Sequence, residues 1–141
     1  MKRPSIFLLL SAAAFAVSGN QIVTEGDGIT YQHEKGASVE VIHRADDALD
    51  ANIFMAKLTI PAGGKVPEHR DSTAEYLHFL SGSGTMTLEG TKHEINPGDT
   101  VFMEKNALVS FQAGDEEVVV LQVFAPAGPE SKYSTWSKIE N

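Results

Sequence analysis

Residues 63–84 read GGKVPEHRDSTAEYLHFLSGSG. Turn glycines stand at both ends, and a His, an Asp and a Glu lie between them. His69 and Asp71 are two apart, so on an extended strand their side chains point to one face. Ser72, Thr73 and Ala74 form a turn-prone step, and Glu75 then opens a second apolar run, YLHFL. If that run pairs back on the first strand, Glu75 turns to the same interior. The result is a compact acidic site with one imidazole on two adjacent strands.

Outward from this stretch, short apolar or alternating runs are broken by turn signals at intervals of about ten residues, the spacing of an all-β sandwich or barrel. On the N-terminal side these are a strand over 29–34, SVEVIH over 38–43 and NIFMAKLTI over 52–60, closed by Pro61-Ala62-Gly63-Gly64. The polar RADDALDA between the last two reads as a loop. On the C-terminal side come TMTLEG, KHEI before an Asn96-Pro97-Gly98-Asp99 turn, two short strands in TVFMEKNALVSFQ around Lys105-Asn106, and the β-branched VVVLQVF. The tail, SKYSTWSKIEN, reads as a strap with Tyr133 and Trp136 packed on the outside. No solenoid repeat, linker or heptad pattern interrupts this order. The expectation is one domain of nine or ten strands over 20–141, with a motif core over about 50–126 and the strap over 127–141.

The first stretch differs from the rest. Lys2 and Arg3 precede the uncharged run IFLLLSAAAFAV, and Ser18 and Gly19 follow it. A basic start, a short apolar run and a small-residue exit have the form of a secretory signal peptide, assigned here to 1–19. The run falls short of the roughly 20 residues a membrane span needs. The expectation is a periplasmic or secreted protein with no span after signal removal. Loss of Lys2 and Arg3 takes the formal charge from −8 to −10. An acidic chain with no basic cluster is poorly suited to nucleic acid. The 141 residues contain no cysteine, which removes disulfides, thiolate catalysis and Cys-ligated zinc together.

The stretch also resembles the first motif of the cupin superfamily: Gly, five residues, His-x-His, three or four residues, Glu, six residues, Gly. Here Gly63 is followed after five residues by His69-Arg70-Asp71, then by Glu75 and Gly82. The second motif of that family begins at a Pro-Gly-Asp turn, matched by Pro97-Gly98-Asp99, and ends in a His. The resemblance covers roughly residues 50–140. It implies a small antiparallel β-barrel of jelly-roll type, often dimeric, in which two His and a Glu of motif one and a His of motif two hold a metal ion. Of those ligands His69 and Glu75 are kept, Asp71 replaces the second His, and the motif-two His position falls on Val109. The Pro and Gly of the intervening turn are replaced by Glu104 and Asn106.

His69, Asp71 and Glu75 are all ligand types. As one imidazole and two carboxylates they form a harder donor set suited to Mn or Fe(II) more than to Cu or Zn. Val109 cannot coordinate, and with Phe111 it makes that wall apolar. The exchange therefore reads either as a lost metal site or as one with an open position. A plainer alternative makes Asp71 and Glu75 solvated partners of Arg70, Lys65 or His69 at a barrel mouth. A buried trio without metal requires either a protonated His69 or a protonated carboxylate.

Alternation places Leu77, Phe79, Met103, Val109 and Phe111 on the pocket wall, with Met55 and Met86. His78 falls on the opposite face of its strand, His93 is exposed beside a turn, and Glu104 leans over the mouth. These features support a cupin barrel that binds a small molecule around a degenerate metal site. The alternative is an oxygenase or isomerase that depends on one divalent metal (Fe, Mn or Zn). A metal-free acid–base enzyme is a third reading. A Ser-His-Asp hydrolase lacks a nucleophile-elbow context for Ser72 or Ser81.

Overall fold

The computed structural model describes residues 23–44 and 52–140. The signal-peptide assignment over 1–19 and residues 45–51 of the loop expectation lie outside them. Among the described residues eleven strands follow in order: β1 Ile29–Gln32, β2 Ser38–His43, β3 Phe54–Ile60, β4 Lys65–Arg70, β5 Ala74–Ser81, β6 Gly84–Leu88, β7 Thr91–Ile95, β8 Thr100–Met103, β9 Leu108–Ala113, β10 Val118–Ala125 and β11 Ser137–Lys138. A 3-10 segment, Pro129–Thr135, lies between the last two. None of the described helices is long and apolar enough to cross a membrane.

The strands form two antiparallel sheets that face each other as a jelly roll. One has the order β11-β1-β2-β3-β10-β5-β8 and the other β4-β9-β6-β7. The expected pairing of β5 back onto β4 is therefore corrected. β5 lies between β10 and β8, while β4 pairs with β9 in the opposite sheet. The reason is burial: an apolar face gains most from a second sheet packed over it, and the step at 71–73 carries the chain from one sheet to the other.

Period-2 alternation sets the interior. β3 buries Phe54, Ala56, Leu58 and Ile60, and β10 buries Val118, Val120, Gln122 and Phe124. Met55 consequently faces away from the cavity, which corrects its assignment to the wall. From β5 the Phe79 ring meets the Phe111 ring of β9 at 5.6 Å, joining the sheets across the core. Burying one such side chain contributes about 1.5–3 kcal/mol. Gly82 ends the β5 motif at φ +76°, and a Cβ there would stand 2.2 Å from the Glu117 carbonyl oxygen. Only glycine fits both demands.

Candidate functional site

Glu75, Leu77 and Phe79 are the inward residues of β5. Glu75 is brought inside by the alternation that buries its two apolar neighbours, and it is only 5% exposed. Gln122 stands opposite Leu77 on β10, one diagonal step from Glu75, and is 3% exposed. Its Nε2 donates to Glu75 Oε1 at 2.7 Å. Its Oε1 accepts from the Tyr133 hydroxyl at 2.7 Å. The three side chains thus form one chain of hydrogen bonds through an otherwise apolar core.

β4 supplies His69. The register against β9 shifts between Val66 and His69, across Pro67, which has no N–H to give to a ladder. Val66 and His69 both line the cavity despite their odd separation. His69 lies opposite Val109, the position where the second motif would carry its His. Asp71 follows β4, and the backbone N–H of Asn106 holds its carbonyl at 2.8 Å. Asn106 takes φ +64°, a left-handed conformation that asparagine adopts more readily than most residues, in place of the family's glycine.

His69 Nδ1 is 2.8 Å from the Pro67 carbonyl, which can only accept, so that nitrogen carries a proton. His69 Nε2 lies 3.3 Å from Asp71 Oδ2, close enough for an ion pair but poorly aligned for a hydrogen bond. Asp71 Oδ2 is left buried without a hydrogen-bond partner. Lys132 Nζ donates to the other oxygen, Oδ1, at 2.9 Å. The Asp71 carboxylate raises the His69 pKa, against the cost of burial. Burial pushes Asp71 up, but His69 and Lys132 together outweigh it and hold it below the usual value. Glu75 is governed by burial and is pushed up to about 7, with Gln122 opposing. The trio therefore separates into an ionised Asp71, a His69 favoured as imidazolium and a Glu75 poised between its two forms near neutrality.

These groups lie on a cavity of about 1130 Å³ between the sheets. Leu77, Phe79, Met103, Val109 and Phe111 line it, as does Met86. All six are buried. Among the described residues no three His, Asp or Glu side chains are grouped so as to hold a metal ion. Glu75 is engaged by Gln122, Asp71 by Lys132, and Val109 adds no donor opposite His69. The side chains as arranged do not fit a resident ion.

The sequence reading missed several groups here. Gln122 carries a visible signal, as the one polar residue in an inward position of VVVLQVF. Lys132 and Tyr133 carry none. Tyr133 was expected on the outside, yet it is 5% exposed and packs on Phe54 and Trp136. The 3-10 segment buries Pro129 and Tyr133 and places them with Lys132 on the cavity wall, which corrects the strap expectation. Trp136 and His33 also line the cavity, with ring centroids 5.1 Å apart. His78 faces away and meets Thr100 Oγ1 at 2.8 Å. His93 is exposed, and Glu104 is exposed and does not line the cavity.

Two antiparallel sheets enclosing a small-molecule-sized cavity, with the polar groups of the first motif on its wall, define a barrel of the cupin class. The pattern of the family described as "Cupin domain" matches residues 56–124. Residues 56–124 therefore form a cupin domain. An uncharacterized protein of Methanocaldococcus jannaschii is 36% identical over 50 residues, a match that spans 35% of this chain and 40% of the archaeal protein. Among solved structures, an RmlC-like cupin from Shewanella frigidimarina superposes with a TM-score of 0.69 at 11% identity, covering 79% of this chain and 96% of that one. KdgF from a Halomonas species gives 0.68 at 14% identity, covering 79% and 98%. A predicted oxalate decarboxylase from Thermotoga maritima gives 0.58 at 20%, covering 73% and 96%. At these identities the structural likeness is one of fold.

Proposed function

We propose that this protein is an exported cupin barrel that binds a small amphipathic molecule without a resident metal. The observation that carries this reading is Asp71 Oδ2, buried on the cavity wall without a hydrogen bond and close to the apolar side chains of Leu77, Phe79, Val109 and Phe111 that line the same cavity. Its nearest protein donor, His69 Nε2 at 3.3 Å, makes no aligned hydrogen bond to it, so the oxygen is open to a ligand hydroxyl or amine. His69 and a protonated Glu75 supply donors nearby. The ligand is then a molecule whose polar head both donates and accepts, and whose apolar body lies against Leu77, Phe79, Val109 and Phe111.

Trp136 is the single tryptophan and lines the cavity, so its emission reports occupancy. Titration of the intact protein with a panel of small alcohols and amines bearing apolar bodies is expected to shift that emission saturably. Val109→Phe, which fills the cavity, and Asp71→Asn, which alters the head-group contact, should each weaken binding about tenfold, or ~1.4 kcal/mol. A panel that leaves Trp136 unchanged, or a Val109→Phe variant that binds as well as the parent, would sink this reading.

Glu75 favours a second reading. A carboxyl with a pKa of about 7 beside an imidazolium is matched to proton transfer near neutral pH. Exchange of solvent deuterium into a bound ligand, followed by NMR and abolished in Glu75→Gln, would establish turnover.

A further inference from the structure

The charges on the cavity wall run against those of the chain. The sequence holds 19 Asp and Glu against 11 Lys and Arg. On the cavity the balance reverses: Lys35, Lys65, Arg70 and Lys132 line it with Glu68, Asp71 and Glu75. The acceptor open to a ligand, Asp71 Oδ2, has basic groups on two sides. Lys132 Nζ donates to the other oxygen of the same carboxylate at 2.9 Å, and His69 Nε2 lies 3.3 Å from Oδ2 itself. Lys132 is held in this place. Its Nζ lies 5.0 Å from the centre of the Phe124 ring and 5.9 Å from that of Tyr133. Tyr133, the next residue, is buried and hydrogen-bonded to Gln122. The ammonium is therefore a fixed part of the wall beside the open oxygen.

We propose that the polar head of the ligand is an uncharged hydroxyl and not an ammonium, and that Lys132 is the residue that sets this preference. The proposal rests on the ligand-binding reading and narrows it. An aliphatic amine carries a proton near neutral pH. As an ammonium donating to Asp71 Oδ2 it would stand across a single carboxylate from the Lys132 ammonium, with the His69 ring beside it. One negative charge would then face two positive ones, or three when His69 is protonated, in a half-buried place where charges are poorly screened. Glu75 does not redress the balance, because burial keeps it largely protonated below about pH 7. A hydroxyl donates the same hydrogen bond without adding charge, and its lone pairs accept from a neighbouring donor. Like-charge juxtaposition is a strong means of rejecting a wrong partner.

Matched probes test this. 2-Phenylethanol and 2-phenylethylammonium lead a set of alcohol and ammonium pairs that share an apolar body and differ only in the head. Each is titrated into the intact protein at about pH 6, where Glu75 is largely protonated, with Trp136 emission as the readout. The parent is expected to bind the alcohol of a pair at least about ten times more tightly than the ammonium. Lys132→Met keeps an unbranched stem against Phe124 and Tyr133 and deletes the charge, and it should cut that ratio about tenfold. Lys132→Gln is a second neutral variant should the first fold poorly. Lys132→Arg keeps the charge and should keep the preference. A lysine that only braced its segment would, when replaced, weaken both probes alike and leave the ratio unchanged. A parent that binds the two heads equally would overturn the proposal and leave the ligand-binding reading in place. So would a folded Lys132→Met or Lys132→Gln with the ratio of the parent. A parent whose Trp136 responds to no member of the set sinks the ligand-binding reading and this proposal with it, so the two failures are distinct.

Discussion

Replacing Gln122 by leucine is expected to destabilise the fold by about 2–5 kcal/mol, because two buried polar groups lose their partner at once and each costs about 1–3 kcal/mol when left unmade. Gln122 is the central link between Glu75 Oε1 and the Tyr133 hydroxyl, with both hydrogen bonds at 2.7 Å. Leucine fills the space but can neither donate to the carboxyl nor accept from the phenol. Tyr133→Phe alone should cost less, since only Gln122 Oε1 is orphaned. Adding Tyr133→Phe and Glu75→Met to Gln122→Leu should recover most of the loss, because an apolar core with no polar group to satisfy is close to neutral. Urea unfolding followed by circular dichroism measures each step. A Gln122→Leu protein within about 0.5 kcal/mol of the parent, inside the ordinary range for surface changes, would show that the chain of hydrogen bonds does not hold the core together.

Glu75→Gln should stabilise the protein above neutral pH and have a smaller effect in acid. Burial raises the folded pKa of Glu75 from an ordinary 4.5 to about 7. A carboxyl shifted upwards contributes stability that is fully present below its unfolded pKa and is lost as pH rises through the folded one. Ionising it in place costs about 3 kcal/mol by pH 8.5. Glutamine keeps an oxygen for Gln122 Nε2 and cannot ionise. The melting-temperature gain of the variant should grow from pH 5 to pH 8.5 and reach on the order of 10 °C. His69 acts in the same direction as Glu75. Its raised pKa gives stability present below the usual histidine value and lost as pH rises through the raised one. Asp71 acts oppositely: its lowered pKa gives stability present above the usual carboxylate value and lost as pH falls through the lowered one. The parent should therefore be most stable in mild acid. Parallel melting curves for parent and variant across this range would show that Glu75 titrates normally.

The two predictions concern groups that were unequally visible in the chain. Glu75 was legible: the alternation of β5 and its spacing from Gly82 placed it inside, and it is inside. His69 and Asp71 were also expected together, and they meet, although by a route the spacing did not indicate. The pairing of β4 with β9 shifts register between Val66 and His69, and the site joins facing sheets instead of neighbouring strands. Gln122 was half-legible, as a polar break in a buried row. Lys132 and Tyr133 were not legible as site residues, since nothing in SKYSTW distinguishes them from an outer strap.

What the amino-acid order determined by itself was the strands, the turns between them, the inward and outward faces and the family of the barrel. Each of these rests on contacts between near neighbours: period-2 burial, glycine at left-handed turns, proline where no ladder donor is needed. What only the tertiary structure decided was the partnering. Asp71 meets Lys132 across 61 residues of chain and Glu75 meets Gln122 across 47. The opening stretch supplies a histidine and two carboxylates, and their protonation is set by burial and by an ammonium brought in by the C-terminal segment. Charge and dielectric act through space, so the local pattern of residues 63–84 names the groups of the site while its surroundings decide their charge.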